Sequence, residues 1–162
     1  MKIICQTDEV IEIPGDTLVG AHLDGINLHR ALLEGQDMQD ASLVGTDLRG
    51  ASASGANLSR ANLTGASLIT AFFIKGLLQD ANLRGCRAIG CLFDNADLRR
   101  ANFSEADISG ASFQAAHLEG AIMLGARLDR ANFTGAIFDQ NTKWPADFDP
   151  LKAGATKTET CE

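Results

Sequence analysis

The sequence lacks most of the signals that mark an enzyme or a nucleic-acid-binding protein. It has three histidines, no C-x-x-C pair among its four cysteines, and no G-x-x-x-x-G-K loop. Lys and Arg number 14 against 21 Asp and Glu, and the net charge of −7 argues against direct binding of nucleic acid. The longest apolar stretch, 68–78, is interrupted by Thr70, Lys75 and Gly76, whereas a membrane helix needs about 20 apolar residues. We therefore predict no catalytic residue, no metal site, no cofactor and no membrane contact.

The first residues also lack the apolar stretch of about 7–15 residues that a secretory signal carries. We accordingly expect a cytoplasmic location, in which structural disulfides are rare.

What the sequence does contain is a period of five. Each fifth residue from Leu18 to Phe138 has a core-type side chain: fourteen Leu, six Phe, two Met, one Ile and two Ala. The residue two places earlier is Ala at eighteen of these twenty-five positions, and the residue two places later is Gly at thirteen. A period of five fits neither a helix nor a simple strand, and repetition of this kind is typical of a solenoid.

The five-residue unit predicts one short side and one corner. The core residue points inward and its two neighbours point outward, while the Gly takes the turn position that requires a positive φ. If the corners are right-angled, four of them close a coil of twenty residues; the spacing alone does not fix that number, and the resemblance described next implies it. The repeat then gives about six coils, stacked at the usual strand spacing of about 4.8 Å.

The repeated motif A-(D/N)-L-x-x resembles that of the pentapeptide-repeat family. It occurs at Ala56-Asn57-Leu58, Ala61-Asn62-Leu63, Ala81-Asn82-Leu83, Ala96-Asp97-Leu98 and Ala131-Asn132-Phe133. This resemblance implies an all-β fold, a right-handed quadrilateral β-helix. The segment 142–145, Thr-Lys-Trp-Pro, resembles the ending of many cyanobacterial members.

Three segments follow from this pattern. Residues 1–15 are predicted to be an N-terminal cap, residues 16–140 the solenoid, and residues 141–162 a C-terminal cap followed by a flexible tail. A solenoid leaves unpaired strand edges and exposed core at each end, and both ends need covering. Trp144 and Phe148 are the candidates for the C-terminal cover, and we expect disorder from Leu151 onward because the residues there are mostly small or charged.

A twenty-residue coil stacks residue i on residue i+20. The predicted core includes Leu58, Leu63, Leu68, Phe73, Phe93, Phe113 and Phe133. Asp40, Arg60, Asp80 and Arg100 form an outward column of alternating charge, which we call the charge ladder. Asn62, Asn82 and Asn102 form another outward column, in which we expect side-chain amides to bond to one another. Ala53 and Ala88 predict either a narrow place in the core or neighbours that fill the space.

Six apolar residues occupy outward positions in adjacent columns, and we call this set the apolar belt: Ile69, Phe72, Ile74, Leu77, Ile89 and Leu92. A contiguous apolar patch marks a contact surface. The sequence therefore favours a non-enzymatic scaffold that binds a protein partner, or a second copy of itself, through this belt.

Two alternatives stay open. Cys86 and Cys91 occupy Ala positions, which predicts buried small side chains, with a redox role as the other interpretation. Some members of the pentapeptide-repeat family, which the sequence resembles, mimic DNA and bind DNA gyrase. That function needs a continuous negative field, whereas ten Lys and Arg are interspersed among the fourteen Asp and Glu of residues 16–140.

Overall fold

The computed structural model describes residues 1–7 and 9–158. The chain forms a β-helix solenoid in which successive coils pair through single parallel bridges between residues twenty apart, from His22 with Ser42 to His117 with Ile137. At each bridge the core residue donates its N–H to the next coil, as Leu58 N does to Leu77 O at 2.7 Å. Each coil therefore holds four pentapeptides, which is the register that the sequence predicts.

Extended strands are short because each side of a coil has room for only two or three residues. Strand β1 is Lys2–Ile4, β2 is Val10–Glu12, β3 is Ile137–Phe138 and β4 is Thr156–Lys157. β1 and β2 pair antiparallel, with Ile3 opposite Ile11, and β3 and β4 pair parallel.

The interior is filled by the fifth-residue positions and by the Ala positions beside them. The predicted core residues Leu58, Leu63 and Leu68 are fully buried. Along one side the rings of Phe73, Phe93, Phe113 and Phe133 stack, with successive centroids 5.6, 5.0 and 5.0 Å apart. Leu128, in the last coil, is only half-buried.

The corners use the left-handed backbone conformation. Gly65 is typical, with φ of 66°, and the same corner position holds non-glycine residues elsewhere, such as Ala115 with φ of 53°. An L-residue in this region costs about 1–2 kcal/mol. The coil geometry therefore overrides the local preference of these residues.

The N-terminal hairpin covers the first coil. Leu32 N donates to Ile4 O at 2.8 Å and Gln6 N to Arg30 O at 2.9 Å, so the hairpin satisfies part of the exposed strand edge. Ile3, Cys5 and Ile13 are buried against the coil.

The C-terminal end is covered by residues that follow the last repeat. Ile122 bridges to Lys143, twenty-one residues later, which brings Trp144 over the end of the core. The Trp144 and Phe148 rings lie 5.2 and 5.3 Å from Phe133, edge to face.

The disorder expected from Leu151 onward is not what the structure shows for residues 151–158. Thr156 N donates to Ala136 O at 2.7 Å and Thr158 N to Phe138 O at 2.8 Å. The segment pairs with the strand edge that the last repeat leaves open. Residues 159–162, which include Cys161, lie outside the described residues.

Candidate protein-interaction surface

The apolar belt lies on the outer surface in mid-rod. Ile69, Phe72, Ile74 and Leu77 come from one coil, and Ile89 and Leu92 from the next. Phe72 and Leu77 are 40% and 45% exposed, and the other four side chains are half-buried.

Strand alternation holds the belt outward. Phe72 N donates to Ala51 O at 2.9 Å and Phe73 N to Leu92 O at 2.7 Å. Ala71 and Phe73 point into the core and are fully buried, so Phe72 between them must face outward. Phe72 forms a parallel bridge with Leu92, and the two side chains stack on the surface.

The belt adjoins a groove that the sequence did not single out. The groove runs along one corner of the rod, where the column of corner residues includes Gly50 and Thr70. Arg30 and Arg49 line it together with two belt residues, Ile69 and Phe72. The available sequence signal was the presence of short corner residues, which leave a gap between their flanking columns.

The charge ladder forms as two separate pairs. Arg60 binds Asp40 and Arg100 binds Asp80, each through two hydrogen bonds of 2.7 Å. No hydrogen bond or ion pair joins Arg60 to Asp80, both of which lie in the described part of the chain.

The expected amide column does not form. Oδ1 of Asn62, Asn82 and Asn102 accepts a hydrogen bond from the backbone N–H two residues later, at 2.9–3.2 Å. The amide oxygens therefore bind their own turns, as short polar side chains do.

Within the described residues, the cysteines and histidines form no reactive cluster. Burial raises the pKa of the Cys86 thiol to about 12 and raises the pKa of Cys91 well above its ordinary value, which disfavours the reactive thiolate. His117 bridges to Asp97 through its backbone, but its Nδ1 lies 3.3 Å from Glu119 Oε1. Among residues 1–7 and 9–158, no group of three or more His, Cys, Asp or Glu side chains could hold a metal ion.

The model of the family "Pentapeptide repeats" matches residues 17–52, 41–74, 77–114 and 111–140, with eight copies. The chain belongs to the pentapeptide repeat family. This pentapeptide repeat protein is similar to alr5209, a pentapeptide repeat protein from Nostoc PCC 7120. The two share 30% identity over 75% of this chain and 84% of that chain, with a TM-score of 0.39.

Two further solved structures illustrate the range of similar proteins. HetL, a pentapeptide repeat protein involved in heterocyst differentiation regulation from Nostoc sp. strain PCC 7120, is 26% identical, covers 85% of this chain and 74% of that chain, and gives a TM-score of 0.36. Full-length QnrB1, a plasmid-mediated fluoroquinolone resistance protein, is 21% identical, covers 85% and 91% respectively, and gives a TM-score of 0.33. No curated protein matches the sequence.

In the described part of this pentapeptide repeat protein, no helix is long and apolar enough to cross a membrane.

Proposed function

We propose that this pentapeptide repeat protein is a cytoplasmic, non-enzymatic scaffold that binds a protein through the apolar belt. In this proposal the rod is a right-handed quadrilateral β-helix of about six coils. The observation that carries the proposal is the contiguous apolar surface formed by Ile69, Phe72, Ile74, Leu77, Ile89 and Leu92.

Polar residues bound the belt in two of its columns. In the column of Phe72, the residues one coil to either side of the Phe72–Leu92 pair are Ser52 and Ser112. In the column of Leu77, the neighbours are Asn57 and Asp97. Exposed apolar groups gain free energy when a partner removes them from water, by about 25 cal/mol per Å². A patch bounded by polar residues in this way is typical of a protein contact site.

The filled interior supports a role without catalysis. Phe73, Phe93 and Phe113 close one side of the core, and Leu83 and Phe103 close the opposite side, all with no exposed surface. Substrates bind in concave pockets, and side chains occupy the space that a pocket inside the coil would need. Function is therefore assigned to the outer surface.

The occupant is either another protein or a second copy of this chain. Sedimentation equilibrium of the wild-type protein, together with capture of partners from a native lysate, distinguishes these two cases. If a second copy binds, the mean mass increases with protein concentration. If another protein binds, this chain stays monomeric and captures that protein from the lysate.

The test uses the double variant Phe72→Asp with Leu92→Asp, which should fold normally because both side chains face outward. We expect this variant to lose the association seen with the wild-type protein. Leu124→Asp is the matched control, because Leu124 is 51% exposed but lies on another side of the rod. If the double variant associates as the wild type does, the belt is not the contact surface.

The alternative, protection of DNA gyrase by mimicry of DNA, fits the charge arrangement less well. Arg60, Arg84, Arg99, Arg100 and Arg127 all form ion pairs with neighbouring carboxylates. These pairs interrupt the continuous negative field that mimicry requires. A gyrase supercoiling assay with added protein tests the alternative, and we expect no inhibition and no protection.

A further inference from the structure

The groove beside the belt differs in charge from the protein as a whole. Among the described residues, its lining includes His29, Arg30, Arg49, Ile69, Thr70 and Phe72 and no carboxylate, although Asp47 lies beside it and binds Arg49. The protein carries a net charge of −7. This concentration of basic side chains in an acidic protein therefore marks a place where the surface favours a negatively charged group.

The basic side chains are accessible. Arg30 is exposed at its corner, with φ of 57°, and its Nε donates to Gln6 Oε1 at 3.3 Å. Arg49 binds Asp47 in bidentate fashion, with Nε to Oδ1 at 2.9 Å and Nη2 to Oδ2 at 2.6 Å. Arg30 thus makes a neutral contact that an incoming carboxylate can replace, whereas Arg49 is already partly neutralised.

The apolar wall of the groove lies at a fixed distance from these charges. Ile69 is one coil beyond Arg49 in the same column. Arg30 lies two residues before Leu32, and Phe72 is two coils beyond Leu32 in its column. Two coil spacings amount to about 10 Å, which is also the length of about three residues of extended chain. The groove volume of about 570 Å³ lies within the range of about 300–1,000 Å³ found for binding sites.

We propose that the groove and the adjoining belt bind an acidic peptide segment of a partner protein, in which a carboxylate lies about three residues from a large apolar side chain. The carboxylate contacts Arg30 and His29, and the apolar side chain packs on Ile69 and Phe72. This inference rests on the proposed function and specifies the chemistry of the partner. Charge complementarity of this kind selects partners and excludes like-charged ones.

The experiment measures the binding of fluorescein-labelled synthetic peptides to the full chain by anisotropy. One peptide carries Phe and Leu at its centre and Glu three residues to either side. Two others replace each Glu with Gln or with Lys, and a single-stranded oligonucleotide serves as a second kind of anion. We expect the Glu peptide to bind most tightly, with an affinity that falls as salt is added.

The charge-reversal variant Arg30→Glu should weaken binding of the Glu peptide by about tenfold or more, because it sets like charges against each other. Arg84→Glu is the control. Arg84 is exposed and lies next to Leu83, on the side of the rod opposite to Phe73. Its replacement should leave the affinity unchanged.

Each remaining outcome overturns the inference. Equal binding of the Glu, Gln and Lys peptides, tighter binding of the oligonucleotide, or no binding of any peptide would exclude an acidic segment as the ligand. None of these results would remove the belt as a contact surface, because that proposal is tested separately by Phe72→Asp with Leu92→Asp. If the double variant loses association while the Glu, Gln and Lys peptides bind equally, the scaffold proposal stands and the acidic partner is rejected.

Discussion

Arg60 binds Asp40 in the preceding coil through two hydrogen bonds of 2.7 Å, Nε to Oδ1 and Nη2 to Oδ2. The planar guanidinium matches a carboxylate in this geometry. Once this pair has formed, Arg60 makes no such contact with Asp80 in the following coil. Asp80 binds Arg100 instead, so an alternating column of four charges resolves into two pairs.

These pairs predict a pH dependence of stability. The hydrogen bonds from Arg60 lower the pKa of Asp40 from its ordinary value of 3.8, and those from Arg100 lower the pKa of Asp80 in the same way. A carboxyl group whose pKa is lower in the folded state stabilises the fold at a pH above its unfolded-state pKa, and this contribution is lost as the pH falls through the folded-state pKa.

The variant Asp40→Asn with Asp80→Asn should therefore melt at a lower temperature than the wild type at neutral pH. The difference should be small, because the pairs are exposed. It should shrink as the pH falls below 3.8 and disappear only below the lowered folded-state pKa of Asp40 and Asp80. Thermal denaturation followed by circular dichroism measures it. Asp16→Asn with Glu34→Gln, which removes two exposed carboxylates without a described ion pair, controls for net charge. A difference that persists unchanged in acid would contradict this account.

The corner at Ala115 predicts a stabilising substitution. Ala115 has a φ of 53°, a conformation that costs an L-residue about 1–2 kcal/mol, whereas Gly adopts it freely. Gly also loses about 0.5–1 kcal/mol through its extra freedom when unfolded. Ala115→Gly should therefore raise the free energy of unfolding by up to about 1 kcal/mol.

The adjacent residue gives the control for that substitution. Ala116 is fully buried and does not have a positive φ. Ala116→Gly should lower the free energy of unfolding by about 1 kcal/mol, through lost burial and added unfolded-state freedom. Urea denaturation of both variants provides the measurement, and a decrease in both would show that the corner carries no strain.

The two small core positions should respond differently to enlargement. Ala88 is flanked by Cys86 and Cys91 in place of Ala, and Phe93 follows in the same coil, so larger neighbours occupy its surroundings. Ala88→Leu should overpack the core and lower stability by about 1–3 kcal/mol.

Ala53 has smaller neighbours in its own coil, namely Ala51, Ala56, Leu48 and Leu58, although Leu33 and Phe73 stack on it from the adjacent coils. Ala53→Leu should therefore lower stability less than Ala88→Leu does. The two variants control for each other, because each adds the same group to a fully buried alanine. The reverse order of their denaturation midpoints would show that these neighbours do not determine the packing.

Trp144 should stabilise the C-terminal end through its ring alone. The ring contacts Phe133 and Phe138, while its Nε1 is buried and has no hydrogen-bond partner among residues 1–7 and 9–158. Trp144→Ala should lower the free energy of unfolding by about 3 kcal/mol, the lower end of the range for a large aromatic residue, because Trp144 is half-buried.

Trp144→Phe keeps an aromatic ring and removes the unpaired donor, so it should cost less than half as much. Both variants are compared by urea denaturation followed by circular dichroism. Equal losses in the two variants would show that the indole nitrogen, and not the ring, is responsible.

The fold was predictable because one period determines both local and long-range structure. Placing Leu58, Phe73 or Phe113 in the core requires only that every fifth side chain points inward, and stacking at twenty residues follows once the family resemblance supplies four sides. The positions of Ile69 and Phe72 on the surface follow in the same way, since they are the residues that break the polar pattern of outward sites.

Other features depend on which of several possible hydrogen-bond partners a group binds, and a sequence pattern does not decide between them. The side-chain oxygen of Asn82 could accept a hydrogen bond from its own turn or from the next coil. It accepts one from the backbone N–H of Arg84, in its own turn. The segment at Thr156 has a composition typical of disorder, yet the open strand edge at Ile137 supplies partners for its backbone. The basic groove was missed because Arg30 and Phe72 are distant in sequence and meet only in three dimensions.

From His22 to Ile137, residue i stacks on residue i+20. Each outward side chain therefore has a fixed place on the surface and can be replaced without moving the others. A block of twenty residues can be duplicated or removed without changing which side any later residue faces, so the rod lengthens or shortens by one layer of about 4.8 Å. An insertion of a single residue, by contrast, must be absorbed within one corner, as happens between Ile122 and Lys143, because it would otherwise turn the later core side chains toward water. Lengths of such proteins are therefore expected to vary in whole layers.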